Sequence, residues 1–229
     1  MRVAVVIPAL DEEESLPLVL RDLPPVWKVV VCDNGSRDRT ADVARAAGAH
    51  VVHAPRRGYG SAVLAGIAHL RADPPDILVI LDADHADHGE LLDRLVDPLV
   101  DGVKDLVIAD RSRTALPGAL TLQQIAGNRL ATSLMAMVSG HRYADMGPFR
   151  AIRWSSLESL GMEDPTWGWN VEMQLKAVRR GLRIAEIPLP YRPRAFGRSK
   201  ISGSVRGTLR AGARILWAVR RYRKDREPV

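Results

Sequence analysis

The sequence predicts an α/β domain built on a mixed, mostly parallel sheet with helices on both faces. Three observations carry that expectation. Short apolar runs alternate with helical patterns through the first 110 residues, an order that builds parallel sheets. The runs are apolar throughout, as in strands covered on both sides. Acidic clusters follow three of them, at the strand ends where open α/β sheets bind ligands.

The elements follow in order. Val3 to Ile7 is an apolar strand ended by Pro8, and Glu12 to Leu23 has helical spacing. Lys28 to Cys32 is a second strand, running into the turn Asp33-Asn34-Gly35-Ser36. Arg39 to Ala47 reads as a helix stopped by Gly48, and His50 to Ala54 as a third strand. Ser61 to Arg71 is helical, and Ile77 to Leu81 is a fourth strand leading into Asp82. Glu90 to Leu99, Gln123 to Val138 and Val171 to Arg180 predict helices, and Leu106 to Ala109 and Arg183 to Ile187 predict strands. Pro188, Pro190 and Pro193 force an extended segment. Ile201 to Arg223 is a last helical stretch.

A chain of 229 residues, 46% hydrophobic and 26% charged, has the composition of a globular α/β domain. The single cysteine, Cys32, excludes an intrachain disulfide and fits a reducing, cytoplasmic setting. No signal peptide is expected, and no apolar run approaches the ~20 residues that span a bilayer. The net charge of +6 is uneven, with Arg192 to Arg226 basic and nearly free of acid. Such asymmetry points to a polyanion: nucleic acid, a phosphorylated substrate or anionic lipid. Nucleic acid is the weakest of these. Aromatic residues are sparse, and acids at strand ends would repel it.

Asp82-Ala83-Asp84 places two carboxylates at the end of an apolar strand. Mg²⁺ or Mn²⁺ prefers such oxygen ligands and shares them with substrate phosphates. A solvated turn capping the next helix is the bland alternative. His85, Asp87 and His88 crowd the same loop as polar loop residues or, less simply, a zinc site. Asp33 can accept hydrogen bonds from a base edge or cap a turn. Arg56-Arg57-Gly58-Tyr59-Gly60 opens a helix whose first amides could bind an anion. Asp145 and Glu172 are candidate general bases for a hydroxyl acceptor. Trp167 and Trp169 suit either a ligand-facing wall or the core.

Ile7-Pro-Ala-Leu-Asp-Glu-Glu13, Val31-Cys-Asp-Asn-Gly-Ser-Arg-Asp-Arg-Thr40, Arg57-Gly-Tyr-Gly60 and Leu81-Asp-Ala-Asp84 resemble the ordered motifs of family 2 glycosyltransferases of GT-A fold. The second half is most similar to dolichyl- and polyprenyl-phosphate sugar synthases, through Arg111, Arg129, Ser133 and Arg194-Ala-Phe-Gly-Arg-Ser-Lys200. The resemblance implies an inverting hexosyl transfer from a GDP-mannose or UDP-glucose type of donor to a polyprenyl phosphate. It implies Asp82 and Asp84 for Mg²⁺ or Mn²⁺. It implies Pro8, Ala9, Glu12, Asp33, Arg57, Gly58 and Asp82 for the nucleotide. It implies Arg111, Arg129, Ser133, Arg194, Ser199 and Lys200 for the acceptor phosphate. Residues 1–200 would form the GT-A domain, with a nucleotide-sugar half, 1–110, and an acceptor half, 111–200. Residues 201–229 would form a basic amphipathic helix, with Arg206, Arg210 and Arg214 at four-residue spacing, resting peripherally on the anionic inner face of the cell membrane. Ala86 stands where the family often has a Gln near the metal.

Overall fold

The computed structural model describes residues 1–54, 56–197, 216, 217 and 219–222. Among them, seven strands form one sheet: β1 (Val3–Ala9), β2 (Lys28–Asp33), β3 (His50–His53), β4 (Ile77–Ile80), β5 (Leu106–Asp110), β6 (Arg150–Arg153) and β7 (Ile184–Pro188). Their order is β3-β2-β1-β4-β6-β5-β7. All neighbours run parallel except β6, which is antiparallel to β4 and β5.

Six of these strands follow the expected runs, but β6 has no strand signature. It reads Arg-Ala-Ile-Arg, with a charge at each end, yet Arg150 is wholly buried. Helix α6 (Trp154–Leu160), which follows it at once, is equally silent in the sequence. Because β6 inserts between β4 and β5, the sheet is continuous across residue 110.

The strands carry apolar residues on both faces, and their period of two sorts these into two cores. On one face Ala4, Val6, Val30, Leu78, Ile80 and Ile108 meet α3 (Tyr59–Leu70), α5 (Leu122–Ser139), α6 and α7 (Trp169–Arg179). On the other, Val5, Ile7, Val31, Val79 and Val107 meet α1 (Leu16–Asp22), α2 (Thr40–Ala46) and α4 (Leu92–Val100). Trp169 is fully buried and belongs to the core, whereas Trp167 is exposed.

Pro8 explains where β1 parts from β4. The Val6 carbonyl accepts the Leu81 N–H at 3.2 Å. Two residues on, Pro8 faces the same neighbour and has no N–H to donate. Pairing with β4 therefore stops at Val6–Ile80, while pairing with β2 continues to Ala9–Asp33. The chain opens there, beside Asp82.

The start of α3 is closed by protein, which corrects the expectation that its amides await an anion. The Gly58 N–H donates to Asn34 Oδ1 at 2.7 Å. The Gly60 and Ser61 N–H groups donate to the Thr166 and Pro165 carbonyls at 3.2 and 2.9 Å. Glycine is required by that close approach: a Cβ on Gly60 would stand 1.9 Å from the Asp164 carbonyl oxygen, and one on Gly58 2.1 Å from that of Pro165. Gly60→Ala is expected to push the 164–166 loop away and to lower stability by about 1–3 kcal/mol, read as a fall in Tm.

Candidate active site

A cavity of about 2240 Å³ opens at the carboxyl edge of the sheet. Pro8 and Ala9 line it at the end of β1, Glu12 beyond that strand, Arg57 and Gly58 before α3, and Asp82 and Asp84 after β4. The same cavity is lined by Arg111, Arg129, Ser133 and Asp145, and by Arg194. Twelve of the expected site residues are thus drawn from distant parts of the chain to one space.

Asp33 and Glu172 do not join them. The Asp33 carboxylate accepts the Ser36 N–H at 3.1 Å and lies 3.0 Å from His53 Nδ1, behind Asn34, which does line the cavity. Glu172 has no exposed surface. Its oxygens accept the Glu163 and Asp164 N–H groups at 2.9 and 2.7 Å and Lys176 Nζ at 2.7 Å. Burial raises its pKa against the pull of Lys176, but its place is under the 163–164 turn. Ser199 and Lys200 lie outside the described residues.

The acidic loop after β1 is mostly stitching. Asp11 accepts the Arg37 N–H at 2.8 Å, and Glu13 accepts that of Arg39 at 3.0 Å. The Glu12 N–H donates to Thr40 Oγ1 at 2.8 Å, which leaves its carboxylate facing the cavity. There Oε2 accepts Ser15 Oγ at 2.6 Å and Oε1 accepts Arg194 Nη1 at 2.6 Å. Arg194 Nη2 lies 3.2 Å from Asp84 Oδ2, so one guanidinium ties the loops after β1 and β4.

Asp82 and Asp84 suit a hard divalent cation. Burial and the adjacent Asp84 charge push Asp82 up to about 7, against the pull of Arg111 and Arg194. Asp82 Oδ1 is buried without a hydrogen-bond partner. Such an orphaned carboxylate oxygen is satisfied by a cation. Among the described residues no three His, Cys, Asp or Glu side chains surround one point. The pair is therefore a partial seat of the kind that substrate phosphates complete. His85 Nε2 lies 2.7 Å from Asp22, and His88 Nδ1 2.7 Å from Glu90. That geometry gives both histidines local partners rather than a zinc ion.

Arg111 is held rather than free. Its backbone N–H, Nε and Nη2 donate to Asp145 at 2.9, 2.8 and 3.1 Å, and it stacks over Tyr191 at 4.8 Å. Burial alone would raise the Asp145 pKa, but the Arg111 charge and hydrogen bonds hold it below the usual carboxylate range. An acid so stabilised as an anion is a weak proton acceptor. Arg129 and Ser133 are exposed on α5, one turn apart, as their spacing requires. Sequence reasoning missed Arg113 and Arg142, exposed arginines that also line the cavity and have no acidic partner among the described residues. It offered Trp167 as a ligand-facing wall but missed Tyr59, whose ring stacks on it with centroids 5.8 Å apart. No local pattern marks either feature.

The family model for glycosyl transferase family 2 matches residues 4–161. The chain is a family 2 glycosyltransferase. Relatives of this transferase include an uncharacterized glycosyltransferase of Mycobacterium tuberculosis, 41% identical over 90% of this chain and 93% of its own length. The undecaprenyl-phosphate mannosyltransferase of Micrococcus luteus is 34% identical over 90% of each chain. The polyprenol monophosphomannose synthase of Mycolicibacterium smegmatis is 30% identical over 89% of this chain and 82% of its own. Glucosyl-3-phosphoglycerate synthase of M. tuberculosis, solved with Mn²⁺, UDP-glucose and phosphoglyceric acid, superposes with a TM-score of 0.75 at 26% identity, over 95% of this chain and 79% of its own. The transferase has the GT-A fold, as its mostly parallel seven-stranded sheet and this likeness show.

Asp145→Asn in the glycosyltransferase takes from half-buried Arg111 the carboxylate that it donates to three times and is expected to cost roughly 1–3 kcal/mol in denaturant unfolding. The sign with pH follows from the depressed pKa of Asp145. The pair's contribution is present above the ordinary value of 3.8 and disappears as pH falls through the depressed one. The variant's stability profile should lack that acid limb.

Proposed function

We propose that the enzyme transfers a hexose, with inversion, from a GDP-mannose or UDP-glucose type of donor to a polyprenyl phosphate, using Mg²⁺ or Mn²⁺. The observation that carries this reading is one cavity that holds both a carboxylate pair and exposed arginine. Carboxylates Asp82 and Asp84 stand at the end of β4, and exposed Arg129 and Ser133 of α5 line the same cavity. The names of the polyprenyl-phosphate relatives and the Mn²⁺ and UDP-glucose in the solved neighbour support it.

In this reading Pro8, Ala9, Glu12, Arg57 and Gly58 receive the nucleotide. Arg57 is already positioned by its Nη2, which donates to the Gly35 carbonyl at 3.0 Å. Asp33 supports that wall from behind. Asp82 and Asp84 would hold the metal, which when bound offsets charge on the departing diphosphate. Arg129, Ser133 and Arg194 receive the acceptor phosphate, since guanidinium forks match phosphate oxygens. Arg111 lends charge from its fixed place against Asp145.

A phosphate acceptor is anionic before it reacts and needs no general base, unlike a hydroxyl. Both carboxylates expected to serve as that base are committed, Asp145 to Arg111 and Glu172 to the 163–164 turn and Lys176. This favours the phosphate acceptor over a soluble hydroxyl compound. Peripheral attachment to an anionic membrane belongs to the same reading. Arg206, Arg210 and Arg214 lie outside the described residues. Beyond them Leu216 and Trp217 are exposed, while Val219 and Tyr222 are buried against the domain. Among the described residues no helix is long and apolar enough to cross a membrane.

Asp84→Ala is expected to lower turnover on the order of 100-fold or more, the usual scale for losing a charge-stabilising group. Calorimetry with GDP- and UDP-sugars, with and without Mn²⁺ or Mg²⁺, should show one base preferred and metal-dependent binding lost in that variant. Full activity of Asp84→Ala in chelator would overturn the reading.

A further inference from the structure

We propose that Arg194 is a built-in counter-ion for Asp84 that yields its place when the metal binds and is then passed to the acceptor phosphate, so that metal and acceptor each strengthen the other's binding. The inference rests on the reading of Asp84 as a metal-holding carboxylate.

The geometry makes Arg194 a bridge across the donor side of the cavity. Nη1 lies 2.6 Å from Glu12 Oε1 and Nη2 3.2 Å from Asp84 Oδ2. Both carboxylates are largely buried, at 7% and 13% side-chain exposure. A cation bonded to a carboxylate oxygen sits ~2.1 Å away for Mg²⁺. A cation on the oxygen that Nη2 approaches at 3.2 Å would face a like charge beside it. Arg194 and the ion therefore compete for Asp84.

Arg194 is also built to move without loss of its anchorage. The strap that bears it is hydrogen-bonded along the loop that bears Asp84. The Arg192 N–H donates to the Ala86 carbonyl at 2.9 Å and the Ala195 N–H to that of Asp84 at 3.3 Å. Tyr191 pairs with Asp87 and Ala115 on either side. The side chain itself is 22% exposed and lines the cavity. On release the guanidinium remains tethered in the space that it shares with Arg129 and Ser133. Arg111 has no such freedom, because Asp145 grips it through three hydrogen bonds. Of these arginines, then, Arg194 alone has two anionic destinations: Asp84 with Glu12, and an incoming phosphate.

Linkage makes the effect reciprocal. An acceptor phosphate that draws Arg194 away uncovers Asp84, and an ion on Asp84 delivers Arg194 to the phosphate. Loss of Arg194 should accordingly improve metal binding while it harms acceptor binding.

The test is Mn²⁺ titration of the full chain by electron paramagnetic resonance, with UDP or GDP present and absent, for wild type, Arg194→Gln and Asp84→Asn. Arg194→Gln should bind Mn²⁺ roughly 5- to 50-fold more tightly than wild type, the usual size of a coupling between sites. Citronellyl phosphate, a short soluble isoprenyl phosphate, should tighten Mn²⁺ binding to wild type and leave Arg194→Gln unchanged. Equal or weaker Mn²⁺ binding by Arg194→Gln overturns the proposal. If that variant does not fold, Arg194→Lys decides: an ammonium cannot span both carboxylates, so its Mn²⁺ binding should also tighten, and an unchanged value overturns the proposal. Failure of the underlying reading looks different: wild type would bind no Mn²⁺, or Asp84→Asn would bind it as well as wild type.

Discussion

Like charge gathered at one sheet edge is the constraint under which this site is built. Glu12, Asp82, Asp84 and Asp145 all face a single cavity, and carboxylates so close repel one another when water is excluded. The fold answers with arginines from the second half of the chain. Arg111 meets Asp145, and Arg194 meets Glu12 and Asp84. Each contact joins residues far apart in sequence, so charge balance and tertiary structure are one requirement. Asp82 is left with the least compensation, and its raised pKa and unpartnered oxygen record that deficit.

The arginines consequently divide by what already holds them. Arg111 is a fixed part of the wall, half-buried, held by Asp145 and stacked on Tyr191. Arg194 is shared between two acids. Arg113, Arg129 and Arg142 are exposed and have no acidic partner among the described residues. Under the proposed transfer, an anionic substrate would meet a graded field, firm at the sheet edge and yielding towards solvent. Such grading would serve a diphosphate that is held and then released, because only interactions that strengthen as charge develops speed a reaction.

The parallel framework was legible because its signals are local. Apolar runs such as Ile77–Ile80 need no context to read as buried strands, and Asp82 and Asp84 gain meaning from following one. What stayed hidden depends on partners. Strand β6 begins with an arginine that is buried only because the rest of the fold encloses it. Glu172 looked like a base until the turn above it supplied two N–H donors. Gly58 and Gly60 looked like a phosphate loop, yet their missing side chains make room for the 164–166 backbone. Asp33 likewise stood at the right strand end, one residue short of the cavity, where Asn34 faces in.

The antiparallel insertion of β6 has a consequence for biosynthesis. On the ribosome, β4 emerges with its left-hand neighbours complete, while the strand that covers its other edge is still to be translated. Until Arg150 to Arg153 arrive, the Ile-Leu-Val-Ile segment presents an open, wholly apolar edge, a template for wrong pairing with other chains. A cut between β4 and β6 would leave that edge without its partner strand.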